Sequence, residues 1–168
     1  MLIPIVNKYD RIIGYKDRKD ITLDDIYRIS SLWLINDNKE FLLSQRALTK
    51  KQSPGLWTNA ADGTVEKGET YRQNMLKEAK EELGLELKSL KKDKKVEIKN
   101  IDGHHHFFAQ WFVGYVPKEQ NFKIQRSEVE QVKWYTPKTF MIEYQKNPSN
   151  FHPILKECVE MFESYLKQ

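Results

Sequence analysis

Four glutamates at fixed offsets behind a glycine carry the strongest chemical signal in the chain. In GTVEKGETYRQNMLKEAKEELGL, from Gly63 to Leu85, five residues separate Gly63 from Glu69 and seven separate Glu69 from Lys77; Glu78, Glu81 and Glu82 follow closely. Thr70 and Gln73 make a capping-box pair and Gly84 suits a left-handed C-terminal cap. The interval between is rich in Leu, Met, Ala, Lys and Glu, so a helix is predicted over Tyr71–Leu83. At roughly 100° per residue, Glu78, Glu81 and Glu82 share one sector of that helix, while Leu76, Ala79 and Leu83 share the neighbouring one. One edge is acidic and the other packs. Three ionised carboxylates within a turn repel one another, and hard oxygen donors of this kind select Mg²⁺, or Mn²⁺, which bridges to substrate phosphate oxygens. The same periodicity also suits a solvated acidic face screened by Lys77 and Lys80. Periodicity alone does not decide between that face and a metal site.

The elements that must position this edge are readable on both sides of it. Ile3–Val6 and Arg11–Tyr15 flank a turn at Lys8, Tyr9 and Asp10 and predict an amino-terminal β-hairpin. Arg28–Ile35 and Phe41–Arg46 are apolar-rich strands separated by the turn-forming cluster NDNKE. Val96–Ile101 and His106–Val116 read as strands joined through Asp102 and Gly103. Gln131–Tyr135 adds a short strand before Pro137 opens a helix. A last helix starts near Asn150, with Pro153 in its first turn and Phe151, Ile154, Leu155, Cys158, Phe162 and Leu166 at helical intervals. This order predicts an α/β fold, a mixed sheet covered by helices on both faces. No linker divides the 168 residues, which suit one packed domain spanning residues 1–168.

Composition narrows the setting. No apolar run is long enough to span a bilayer, the amino terminus lacks a basic-then-apolar leader, and the lone Cys158 excludes an internal disulfide framework. A cytoplasmic protein without membrane contact is expected. Lysine and arginine exceed aspartate and glutamate by 28 to 24, and five lysines fall in KSLKKDKK, Lys88 to Lys95. That run reads as a solvated loop, so no specific nucleic-acid partner is expected.

The 63–85 segment resembles the Nudix box, whose pattern is G-x5-E-x7-R-E-U-x-E-E-x-G-U with U a bulky aliphatic residue. Lys77 stands where the family has arginine, and Ala79 at the first aliphatic position. A guanidinium can grip a carboxylate with two parallel hydrogen bonds, which an ammonium cannot do. The resemblance implies a Nudix-type α/β/α sandwich. It also implies an Mg²⁺-dependent hydrolase that splits a diphosphate linkage in a nucleoside-diphosphate-type small molecule by attack of water on phosphorus. On this reading Glu78, Glu81 and Glu82 are metal ligands, joined by the main-chain oxygen of Gly63, while Glu69 orients loop and helix by pairing with Lys77.

RALTKKQSPGLWTN, Arg46 to Asn59, with SLWLINDNKEFLLSQ before it, resembles the type I isopentenyl diphosphate isomerases, an offshoot of the same fold. The analogy makes Arg46, Lys50 and Lys51 candidate phosphate contacts. The isomerases move a double bond with a cysteine and a glutamate. Asp62 holds the cysteine's position here, Thr64 that of a metal-binding histidine, ITLDDIYRI lacks the family's other histidines, and IDGHHH replaces the glutamate-bearing stretch. The proton-transfer set is absent while the hydrolytic box is kept, so hydrolysis is favoured over isomerisation. A non-catalytic nucleotide-binding regulator is the third alternative, one for which a broken acidic edge would be expected.

The general base must reach the attacking water, directly or through another water. Glu81 is the candidate inside the box; Glu128 and Glu130, in QRSEVEQVKW, are those outside it. Successive strand residues point to opposite faces, so His104, His105 and His106 read as substrate contacts or exposed groups at a strand entrance and not as one metal site. Trp111 and Trp134 sit in apolar contexts that favour core packing. Trp57, in the PGLW loop, is the tryptophan with a substrate-stacking role in view. A homodimer, if formed, would use the amino-terminal hairpin or the last helix.

Overall fold

Eleven-residue strands in the middle of the molecule set its plan. The computed structural model describes residues 1–99 and 105–155. β1 (Leu2–Val6) and β2 (Ile12–Asp17) form the amino-terminal hairpin, and β3 (Ile26–Asn36) and β4 (Phe41–Arg46) follow. Two short strands, β5 (Trp57–Thr58) and β6 (Ala61–Thr64), precede α1 (Tyr71–Leu83). β7 (Lys91–Lys99), β8 (His106–Val116), β9 (Val129–Tyr135) and α2 (Pro137–Lys146) complete the regular elements. β3 and β8 run parallel from Ile26↔His106 to Asn36↔Val116, while the other pairings are antiparallel. The sheet is therefore mixed, as expected.

Side-chain alternation along these strands builds the two layers. Leu32 and Leu34 of β3, Leu42 of β4 and Phe112 of β8 pack with Met75, Ala79 and Leu83 of α1. Their sequence neighbours Trp33, Ile35, Phe41, Leu43, Trp111 and Val113 point the other way and pack with Phe140 of α2 and with Phe151 and Leu155. A strand buried on both faces needs a near-continuous apolar run, which β3 supplies in SLWLI. The result is a sheet between helices, the α/β/α sandwich that the resemblance implies. Trp33 and Trp111 stack across the parallel pair with centroids 5.2 Å apart, and Trp134 tilts against Phe122 at 6.1 Å.

Three local expectations change. The Lys88–Lys95 run is not all loop, because β7 begins at Lys91 and pairs with β8, with a register shift between Lys92 and Lys95. Charged side chains and a bulge on a strand whose only described partner lies on one side blunt its unpaired edge. β5 and β6 lie in what the sequence leaves as loop, with β6 pairing β3 from Ile29↔Thr64 to Leu32↔Ala61. Before the last expected helix, Pro148–Asn150 forms a 3-10 turn; the stripe residues Cys158, Phe162 and Leu166 lie outside the described residues, as do Ile101 to Gly103. No helix among the described residues is long and apolar enough to cross a membrane.

Candidate active site

Helix α1 has the boundaries and caps its sequence predicts. Thr70 accepts from the Gln73 N–H at 3.2 Å and the Gln73 side chain accepts from the Thr70 N–H at 2.9 Å, while Gly84 takes the left-handed conformation at φ 68°. Ala79 and Leu83 are buried against the sheet, which turns Glu78, Glu81 and Glu82 toward an open cleft of about 320 Å³. The pairing of β6 with β3 delivers the cleft's opposite wall, placing Asp62 and Gly63 over the same helix face.

Gly63 is required here by close approach. A Cβ built on it would lie 2.5 Å from Cδ and 2.6 Å from Oε1 of Glu78, so any side chain would displace that carboxylate. Asn74, fully buried on α1, organises the surroundings. Its Nδ2 donates to Thr64 O at 3.1 Å, to Glu69 Oε2 at 2.9 Å and to Glu78 Oε1 at 3.3 Å, and its Oδ1 accepts from Ser30 Oγ. Sequence reasoning missed this residue. The available signal is an Asn, a poor helix former, one turn before Glu78 in a run of good ones.

Glu69 and Lys77 meet as the family resemblance implies. Lys77 Nζ lies 2.8 Å from Glu69 Oε1, 2.7 Å from Glu66 Oε1 and 3.8 Å from Glu78 Oε1. Burial pushes the Glu69 carboxyl up, but the Lys77 hydrogen bond, the Glu66 N–H and Asn74 outweigh it and hold Glu69 below the ordinary carboxylate range. Burial works against the Lys77 charge, and its bonds to Glu66 and Glu69 outweigh it, so Lys77 stays protonated.

The carboxylates one turn further on are in the opposite condition. Burial pushes Glu78 up to about 7; Lys77 draws it down, while Glu81 and Glu69 raise it. Glu82 is driven well above the ordinary range by burial and then by the charges of Asp62, Glu78 and Glu128, against a single backbone hydrogen bond from Asp62. Asp62 Oδ1 accepts from Ser31 Oγ at 2.6 Å and Asn59 Nδ2 at 2.8 Å, which fixes it facing the cluster. Glu81 is exposed at the cleft rim.

The structure brings together some sequence-selected residues and not others. Arg46, Lys50, Gly63, Glu78, Glu81, Glu82 and Glu128 all line the cleft. Lys50 is not an isolated cation, since its ammonium bonds Glu128 directly. Lys51 is exposed and neither Lys51 nor Glu130 is among the cleft-lining residues. Trp57 packs edge-on to Tyr135 at 6.1 Å and joins the α2-side core, so its ring is committed to packing and does not line the cleft. The histidines separate. His105 lines the cleft, with Nδ1 3.0 Å from Tyr27 Oη and Nε2 2.9 Å from Gln52 Nε2; His106 pairs with Glu97 at 2.8 Å; His104 lies outside the described residues. Tyr27, Asn59, Gln125 and His152 also line the cleft, and no sequence pattern announces them.

No three His, Cys, Asp or Glu side chains among the described residues converge on one point. Glu78 bends back over Gly63 toward Asn74 and Lys77, so ligation requires its side chain to rotate outward. The donor set nevertheless fits a hard divalent cation. It offers hard oxygen donors, and burial and mutual repulsion hold Glu78 and Glu82 in a state that a cation would relieve.

The sequence model of the NUDIX domain matches residues 27–158. Among curated proteins, the isopentenyl-diphosphate Delta-isomerase of Klebsiella pneumoniae (strain 342) is 40% identical over 67 residues, 39% of this chain and 36% of that enzyme. The chain thus spans about a third of the length of the curated relatives it matches. Among solved structures, DR0079 from Deinococcus radiodurans superposes with a TM-score of 0.80 over 96% of this chain and 98% of its own, at 20% identity. A C. elegans Ap4A hydrolase superposes with a TM-score of 0.60 over 84% and 98%, at 18% identity. At these identities the structural likeness speaks for the fold.

Proposed function

The chain belongs to the NUDIX domain family, and from that membership we propose that it is an Mg²⁺- or Mn²⁺-dependent hydrolase splitting a diphosphate linkage in a nucleoside-diphosphate-type small molecule. The observation that carries this reading is the gathering of Glu78, Glu82, Asp62 and Glu128 around a cleft that also presents Arg46 and Lys50. A carboxylate cluster kept at a cost in repulsion makes sense where a divalent cation and a polyanionic substrate meet.

Glu78 and Glu82 would hold the cation, with Glu81 and the main-chain oxygen of Gly63 beside them. When bound, the metal neutralises phosphate charge and makes the attacking water more acidic. Arg46 would grip the diphosphate, its guanidinium steadied by the Nε bond to Gln52 O at 3.1 Å. Glu128 would take the water's proton, with Glu81 as the in-box alternative. Lys51 and Trp57, away from the cleft lining, are left out of the proposed contacts.

A second reading is isomerisation, favoured by the 40% identity to an isopentenyl-diphosphate isomerase over 67 residues. It requires a proton donor at Asp62, whose Oδ1 is already engaged by Ser31 and Asn59. Both readings are tested by incubating nucleotide, dinucleotide, nucleotide-sugar and prenyl diphosphates with Mg²⁺ or Mn²⁺, beside Glu82→Gln and an isopentenyl-to-dimethylallyl assay. Metal-dependent cleavage lost in the variant supports the hydrolase. Double-bond migration without cleavage overturns it, and metal-dependent binding with neither reaction selects a regulatory role.

A further inference from the structure

Lys50 and Glu128 enter the cleft as a bonded pair: the Lys50 ammonium sits on Oε2 of Glu128. Their backbones are adjacent for independent reasons. β4 ends in a register shift at Gln45/Arg46 where Arg46 pairs with Val129, and the Ala47 N–H donates to Glu128 O at 2.9 Å. The loop after β4 is closed by Lys50 N–H to Ala47 O and Gly55 N–H to Arg46 O, both at 3.1 Å, and reaches the far wall through Gln52 and His105. Glu128 donates its own N–H to Gln125 O at 2.9 Å, and the Gln125 N–H in turn donates to Glu82 O at 3.0 Å. Main chain is therefore held on both sides. The two side-chain tips, 29% and 34% exposed, are the part of the contact that can exchange.

We propose that the Lys50–Glu128 ion pair is a latch that an incoming diphosphate opens: phosphate oxygens take the Lys50 ammonium, and the released Glu128 carboxylate turns toward Glu78, Glu81 and Glu82. The inference rests on reading this cleft as the diphosphate site. A half-exposed pair of single charges is weakly held, and a diphosphate offers the ammonium more negative charge than one carboxylate does. Lys77 makes the contrast, being bonded to Glu66 and Glu69 together at 2.7 and 2.8 Å and lining no part of the cleft. Glu128 is already near enough for its charge to act on Glu82. The latch gives Lys50 a positioning role: its ammonium holds the Glu128 carboxylate in place beside Glu82 until substrate arrives.

The test is calorimetric binding of methylenediphosphonate, a non-cleavable diphosphate, to the full chain without divalent metal. Glu128→Gln should tighten binding roughly fivefold and Lys50→Met weaken it about tenfold, as expected for a charge-assisted contact, with Lys50→Arg close to wild type. In the double variant the gain from Glu128→Gln should vanish. A gain that persists without Lys50 would show general charge repulsion and overturn the latch, as would no gain at all. Mn²⁺ binding followed by electron paramagnetic resonance supplies a second readout: Lys50→Met should tighten it in the absence of diphosphate, and an unchanged affinity overturns the proposal. If no diphosphate is ever cleaved while this coupling holds, the hydrolase reading fails and the latch stands.

Discussion

Glu69 and Glu82 lie in the same short segment and face opposite electrostatic conditions. Glu69 is surrounded by donors, namely Lys77, the Glu66 N–H and Asn74, and is held ionised below the ordinary range. Glu82 is surrounded by acceptors, namely Asp62, Glu78 and Glu128, and is pushed far above it. The first arrangement holds a loop against a helix. The second is unfavourable in itself and becomes favourable when a cation arrives, so the fold spends stability on one side of α1 and recovers some on the other.

Glu82→Gln breaks the comparison at its most loaded point. The rate of diphosphate cleavage should fall on the order of 10³-fold, because a metal-holding charge is lost. The metal-free protein should become more stable, by roughly 2–4 °C in Tm if about 1 kcal/mol of repulsion is relieved. Calorimetry in a chelating buffer, beside the rate assay, checks both. A variant that loses stability along with activity would show that Glu82 belongs to the structural set.

The two sets also titrate in opposite senses. With its folded-state value raised to about 7, Glu78 favours the folded protein while protonated, and that contribution is lost as pH rises through about 7. The size is on the order of 2–3 kcal/mol, with Glu82 acting in the same sense. Glu69, depressed, contributes stability above its unfolded value and loses it as the solution is made strongly acidic. Denaturant unfolding of the metal-free protein should therefore weaken between pH 5 and about 7.5. Saturating Mg²⁺ should flatten that slope and leave the acid limb in place. A slope indifferent to Mg²⁺ would separate the raised carboxyls from any metal role.

Glu69→Gln attacks the settled side. The amide cannot accept on both ends, so either Lys77 or the Glu66 N–H and Asn74 lose their acceptor. The cost should be about 1–3 kcal/mol, with a smaller loss of rate than Glu82→Gln gives. Chemical denaturation and the rate assay read the two effects separately, and a stability cost near zero would remove Glu69 from the loop–helix contact.

What was legible in the sequence divides along similar lines. α1 was readable to the residue, because Thr70, Gln73 and Gly84 are local signals that act through the backbone. The glutamate spacing was equally local. β6 was not readable, because Ala61–Thr64 has no strand pattern of its own and is a strand only through its pairing with β3. β7 was partly hidden, because lysines that protect a sheet edge resemble those of a solvated loop. Asn74, Tyr27 and His152 reach the site through tertiary packing; His152 arrives by a backbone bond from its N–H to Trp57 O at 2.8 Å, across nearly a hundred residues of chain. Trp57 shows the converse, since a tryptophan in a Pro–Gly loop looks available for stacking until β5 turns it onto Tyr135.

The smallest effect concerns the residue shared by both sets. Lys77 touches Glu66 and Glu69 closely and Glu78 only at 3.8 Å, so a single ammonium serves the settled side and leaves the crowded side short of positive charge. Lys77→Arg restores the family residue, whose planar fork can hold Glu69 with one edge and turn another toward Glu78. The expected gain in stability is a few tenths of a kcal/mol, because the existing bonds are already good and half-exposed pairs contribute little. The diagnostic change lies elsewhere: a guanidinium near Glu78 should lower its titration midpoint from about 7 and reduce the neutral-pH slope of metal-free stability. If the slope is unchanged while Glu69 stays bound, Glu78 is raised by burial alone. The repulsion assigned to the acidic edge would then rest on Glu82 and its neighbours Asp62 and Glu128.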